Sequence, residues 1–307
     1  MGELRRIERA LLGTFLEAGY GEVSTPAVEY EETLRLADQG LRPAYRVVDD
    51  HGATLALRAD MTVPIARVVA TRYATAEPPL RFCYSAHAYR AVRPHRGQMR
   101  EFLQSGVELV GAPGPEGTAE ALTVLCRALE AAGLREFRVG LGDAALYPRL
   151  LAAYGVGEAD RERLLHELAT RDLVGLDRIV AELGLPADAS AMLGGVPRRR
   201  GGPEILEGNA APLDAALEDL RAVLGELAPD IAARVIVDLG RFPRMGYYTG
   251  AMFEVYDPEV GEPLGGGGRY DDLLGRFGRP LPAVGFALGV DRIHGALAGE
   301  ERGETRA

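Results

Sequence analysis

The chain has 307 residues, and its 35 basic side chains face 45 acidic ones, for a net charge of −10. Every basic residue is an arginine, which excludes Schiff-base, pyridoxal-anchoring and phosphate-loop lysine chemistry and leaves anions to guanidinium forks, backbone amides and helix ends. The acidic balance speaks against nucleic-acid wrapping, Cys83 and Cys126 lack metal-ligand spacing, and no apolar run has the length of a membrane span. No metal site is expected, and the cytoplasm is the default compartment.

Leu4, Ile7, Leu11, Leu12 and Phe15 recur at helical spacing and predict an amphipathic helix over 3–18, ended by Gly19 and Gly21. A short strand is expected around 23–27, with Pro26 marking it as an edge or irregular segment. Leu55 and Leu57 alternate as in a strand. Thr62 then opens a helix through Ile65, Val68 and Val69, Pro64 being tolerated in its first turn. Residues 80–91 and 98–111 read as two strands joined by Pro94-His95-Arg96-Gly97. A helix near 116–132 and a strand at 136–141 follow.

The stretch 143–184 is all-helical in pattern, and 186–211 is rich in proline and glycine around Arg198-Arg199-Arg200. Together, 143–211 reads as a helical insertion set into a larger sheet. After a helix at 212–226, strands are predicted at 233–238, 246–256 and 283–288, with the glycine run 265–268 between the last two. A final helix begins near Val290 within a core that extends to about residue 300, and 301–307 reads as a disordered tail. Strands and helices do not alternate regularly and hairpins dominate. The expected class is therefore α+β, a mostly antiparallel sheet flanked by helices. The glycine run lacks the strand–G-x-G-x-x-G–helix context of a dinucleotide fingerprint.

Four segments carry chemistry. Leu57-Arg58-Ala59-Asp60-Met61-Thr62 lies at a strand-to-helix junction, where Asp60 or Thr62 serves either as a helix cap or as a contact for a ligand's amino group. In the hairpin, Arg90 before the turn and Arg100 after it form a two-sided clamp suited to phosphate or carboxylate. Gln104 and Glu108 share parity on their strand and face one way, unless a bulge at Gly106 intervenes. Tyr247 and Tyr248 are adjacent on a predicted strand, where one core and one surface residue would be usual. The last segment enters the final helix through glycines and leaves Arg292 in its first turns, near the sheet.

Together these segments resemble the catalytic core of class II aminoacyl-tRNA synthetases, specifically the histidyl enzymes. The hairpin from Arg90 to Glu108 is similar to their motif 2, the segment from Gly285 to Arg292 to motif 3, and Thr25-Pro26 to motif 1 at a dimer interface. Tyr-Tyr-Thr-Gly (247–250) and Gly-Gly-Arg-Tyr-Asp (267–271) are the most specific matches. The resemblance implies that Asp60, Thr62, Gln104, Glu108 and Tyr248, with Tyr247 beside it, form a histidine pocket. It makes Arg90, Arg100 and Arg292 phosphate-type or vestigial nucleotide residues.

Three departures bear on activity. Pro243 stands where the synthetase has its catalytic arginine, Val92 replaces an acidic residue of the nucleotide site, and no anticodon-binding domain is expected after the core. This pattern is similar to the regulatory subunits of ATP phosphoribosyltransferase, a paralogous branch favoured by Leu-Arg-x-Asp-Met-Thr at 57–62. That resemblance implies no catalytic residues and no cofactor, with histidine as an allosteric ligand. It further implies a short-form catalytic subunit as partner, a homodimer within a hetero-octamer, and no tRNA or membrane partner. A truncated histidyl-tRNA synthetase core is the alternative.

Overall fold

The strands pair into a nine-stranded sheet in a computed structural model that describes residues 2–37, 44–91, 99–242 and 246–304. Its strands are β1 (Gly21–Glu22), β5 (Leu80–Tyr89), β6 (Glu101–Val110), β7 (Arg138–Asp143), β8 (Arg200–Gly201), β9 (Val235–Asp238), β10 (Ala251–Tyr256), β11 (Gly265–Arg269) and β12 (Ala283–Gly289). They lie in the order β1-β5-β6-β12-β11-β10-β7-β9-β8. Pairing is antiparallel except for β1 with β5 and β7 with β9. A second sheet, β2-β4-β3, is built from β2 (Val28–Tyr30), β3 (Arg46–Val48) and β4 (Thr54–Leu57). This is the expected α+β class on a mostly antiparallel sheet.

The strand period of two divides the large sheet into unlike faces. Val107, Leu109, Val284, Phe286, Leu288, Phe253, Val255 and Leu141 are buried on one side. There they join Ile7, Leu11 and Phe15 of α1 (Gly2–Glu17), Leu122, Leu125 and Leu129 of α4 (Gly114–Ala132), and Ile293 and Ala296 of α12 (Val290–Glu304). The Phe15 and Phe286 rings meet edge to face at 5.7 Å. Each such fully buried side chain contributes about 1.5–3 kcal/mol.

The intervening residues line the opposite face in register: Phe82, Tyr84 and Ala86; Glu108, Gly106 and Gln104; Gly285, Ala287 and Gly289. Over this face lie α3 (Thr62–Arg72) and a 3-10 turn (Leu274–Phe277), which with Met61 just before α3 contribute Val63, Ile65 and Leu274 to a separate apolar cluster.

Helices α5 (Leu146–Ala153), α6 (Glu158–Thr170), α7 (Leu173–Glu182) and α8 (Ala187–Gly195) follow β7. Their Leu150, Leu164, Leu176 and Leu193 belong to the same buried cluster as the sheet and α1. The proline- and glycine-rich stretch thus holds a helix, α8, that its composition concealed. Two short pieces, α9 (Leu213–Ala216) and α10 (Glu218–Glu226), replace the single helix expected at 212–226, and α11 (Pro229–Ala232) leads into β9.

Four further expectations need correcting. No strand spans 23–27: β1 ends at Glu22 and β2 starts at Val28, on either side of Pro26. The strand expected at 246–256 begins only at Ala251, so the tyrosine pair precedes it. The glycine run itself is strand β11, and the segment read as a disordered tail is helical as far as Glu304.

Candidate functional site

Glu108 is the centre of the site. It lies on the site-facing side of the sheet, near the C-terminal end of β6, and is 1% exposed. No bulge forms at Gly106: the register runs unbroken from Gln104 to Val110 against both neighbours, so Gln104 and Glu108 share a face as their parity requires. An ideal Cβ at Gly285, the cross-strand partner of Glu108, would lie 1.9 Å from Glu108 Oε2. Only a glycine leaves room there for the carboxyl group.

Two hydroxyls close on this carboxyl. Thr62 Oγ1, in the first turn of α3, donates to Glu108 Oε1 over 2.7 Å, and the Tyr270 hydroxyl donates to Oε2. Burial pushes the Glu108 carboxyl up to about 8; the two donated hydrogen bonds oppose the shift and the Asp60 charge adds to it. Near neutral pH the group is therefore mostly protonated until a cation or N–H donor approaches. Burial also drives Tyr84 and Tyr270 well above the ordinary phenol range, so both remain neutral donors.

Asp60 is half-buried and accepts the backbone N–H of Val63 over 3.3 Å. Its cap role is thus real, and its charge also acts on the Glu108 pocket. The segment is held from behind by Arg58, 7% exposed, which donates from Nε to the His87 carbonyl (2.8 Å) and from Nη1 to the carbonyls of Thr25 (2.6 Å) and Pro26 (3.3 Å). Met61, fully buried, locks the turn between Asp60 and Thr62.

Tyr247 is buried and Tyr248 half-buried, with ring centroids 5.1 Å apart; Tyr247 also meets Tyr270 edge to face at 5.8 Å. The two therefore do not divide into a core and a surface residue, because they precede β10 and are freed from strand alternation. An ideal Cβ at Gly268 would stand 2.9 Å from the Tyr248 ring, so the glycine strand lets that ring lie down on the sheet. Gln104 is 8% exposed, and its Oε1 has no hydrogen-bond partner among the described residues. A buried acceptor left open on this face could take a hydrogen bond from a donor that enters the site.

The structure therefore brings Asp60, Thr62, Gln104, Glu108, Tyr247 and Tyr248 to one face. It adds Tyr270 and Tyr84, for which the sequence reading assigned no role. Tyr270 stood inside a quoted motif, but it reaches the pocket from just beyond the end of β11, where strand parity no longer says which way it points.

The three arginines behave differently. The Arg90 guanidinium sits over the Phe102 ring at 4.9 Å. Arg100 is exposed, and its carbonyl accepts the Arg90 backbone N–H over 2.9 Å. Arg292 donates to the Pro263 carbonyl (2.5 Å) and pairs with Glu262 (3.0 Å), not with the adjacent Asp291. Val92 and Pro243 lie outside the described residues. Among the described residues no group of His, Cys, Asp and Glu is arranged to hold a metal, and no helix is long and apolar enough to cross a membrane.

A profile of the histidyl-tRNA synthetase family matches residues 1–293. The ATP phosphoribosyltransferase regulatory subunit of Moorella thermoacetica is 40% identical over 98% of this chain and 78% of its own length. The crystal structure of an ATP phosphoribosyltransferase regulatory subunit/histidyl-tRNA synthetase from Bacillus halodurans superimposes with a TM-score of 0.89 at 32% identity, over 96% of this chain and 79% of the other. A histidine–tRNA ligase subunit from Alicyclobacillus acidocaldarius gives 0.77 at 31% identity, over 98% and 94%.

Proposed function

The chain belongs to the ATP phosphoribosyltransferase regulatory subunits, a branch of the histidyl-tRNA synthetase family, and we propose that it is a non-catalytic histidine sensor within that branch. On this reading it activates a short-form catalytic subunit in the first step of histidine biosynthesis, in the cytoplasm. It relays feedback inhibition when histidine occupies the Glu108 pocket. The assembly would contain this chain as a homodimer within a hetero-octamer, without tRNA.

The observation that supports the reading is the polar cluster around Glu108. Glu108, Thr62 and Tyr270 are joined by hydrogen bonds, the Gln104 acceptor is open, and the tyrosine rings stand beside them. A carboxyl group held among hydroxyls can exchange its proton for an imidazole N–H or an ammonium group, and aromatic faces suit both. Pro243, which cannot supply a guanidinium, supports binding without adenylation.

The test mixes this chain with a short-form ATP phosphoribosyltransferase and measures phosphoribosyl transfer with and without histidine. Activity that needs this chain and falls with histidine supports the proposal; a partner equally active alone, or insensitive to histidine, overturns it. The retained pocket also favours a second reading, a histidyl-tRNA synthetase core. Histidine-dependent ATP–pyrophosphate exchange by the purified chain would establish that reading instead.

A further inference from the structure

Beside the pocket, one cation on the site face is engaged by a carboxylate of the same chain. Gly289, the last residue of β12, is the cross-strand partner of Gln104, so both point to the same face with side-chain origins about 5 Å apart. An ideal Cβ at Gly289 would lie 3.3 Å from Arg292 Cδ, which places the stem of Arg292 across that position, next to Gln104. The guanidinium ends on the segment joining β10 to β11, where Pro263 offers its carbonyl and Glu262 its carboxylate. This segment is anchored at Leu264, whose carbonyl accepts the Gly289 N–H over 2.8 Å.

We infer that Glu262 is an intramolecular competitor for Arg292, occupying the guanidinium that would otherwise take the anionic group, carboxylate or phosphate, of a ligand lying across Gln104. The charge distribution requires such a partner. Glu108 and Asp60 put two carboxyl groups at one end of the site, which suits a ligand N–H or ammonium, and the anionic end of such a ligand is matched by a cation at the other end. Arg292 borders the open Gln104 acceptor, and its fork can hold either oxyacid bidentately. The Glu262–Arg292 pair is half exposed, 52% and 42%, so its strength is modest and a bound anion can displace it. Such a contact tunes affinity without abolishing it, and it makes occupancy of the site release the β10–β11 segment.

This inference rests in part on the amino-acid reading of the pocket, and the experiment separates the two. Isothermal titration calorimetry compares the full-length chain with its E262Q variant against inorganic tripolyphosphate, histidine and histamine, which lacks the carboxylate. Removing the competitor should tighten tripolyphosphate and histidine roughly two- to fivefold and leave histamine unchanged. The E262Q/R292Q double variant should lose that gain. Unchanged tripolyphosphate affinity in E262Q, or an equal gain for histamine, overturns the inference. A gain for tripolyphosphate with no histidine binding in either protein would uphold the competitor and overturn the histidine pocket. The substituted carboxylate is exposed, so folding is not at stake, and circular dichroism confirms it.

Discussion

The Thr62 hydroxyl donates to the Glu108 carboxyl over 2.7 Å, tying the first turn of α3 to the C-terminal part of β6. Because burial raises that carboxyl from 4.5 to about 8, it is protonated in the folded chain and ionised in the unfolded chain between those values. Folding then takes up a proton, and stability falls as pH rises through the window. E108Q, neutral at every pH, should flatten this dependence and be roughly 2–4 kcal/mol more stable than the parent near pH 8, relative to their difference at pH 4.5. Urea unfolding at half-unit intervals from pH 4.5 to 8.5 measures it; parallel curves for the two proteins would refute the assignment.

Room for the carboxyl depends on a single absent methyl group. Gly285→Ala places a Cβ where Glu108 Oε2 now sits, between the β6 and β12 backbones, so neither neighbour can yield cheaply. The expected cost is about 1–3 kcal/mol in unfolding free energy, with loss of histidine binding by calorimetry. An alanine variant that binds histidine like the parent would place the ligand elsewhere.

The order of elements and the polar wall of the pocket were legible because both follow from period. Gln104 and Glu108 lie four residues apart on a strand without a bulge, so parity alone puts them on one face. The glycine strand β11 was illegible from propensity, since glycine is a poor strand former. It pairs because β10 and β12 approach it on both sides, and a Cβ at Gly267 would stand 2.0 Å from the Gly285 carbonyl oxygen. Tyr270 and Arg58 act from turns, where no period applies, and Arg292 met a carboxylate 30 residues away that no local pattern announces.

Arg58 is a positioning residue whose role depends on its fork. It serves three backbone carbonyls from two different segments, an arrangement that a single ammonium group cannot reproduce. R58M should cost roughly 2–4 kcal/mol, because buried carbonyls lose their donors, and R58K should recover less than half of it. Histidine affinity should fall in both, since Asp60 and Thr62 follow directly in the chain. Chemical unfolding and calorimetry on the same samples check the two effects; full rescue by lysine would show that charge alone matters.

Arg241 closes the far end of the site face. It is 5% exposed, lies against Gly140 and Gly142 of β7, and donates to Glu254 (2.5 Å) and to the Tyr256 hydroxyl (3.1 Å). Asp238 adds a carboxylate 3.7 Å from Nη2. Taking away the guanidinium removes the positive charge that balances these acids, and this costs more than the pair itself contributes. R241M should therefore destabilise by about 2–4 kcal/mol, whereas E254Q alone should cost less, because Glu254 is more exposed than its partner. The double variant R241M/E254Q should recover 1 kcal/mol or more of the loss, roughly the coupling expected of contacting charged residues. Unfolding free energies of the four proteins complete the cycle, and strict additivity would show that Arg241 acts by packing over the β7 glycines and not through its charge.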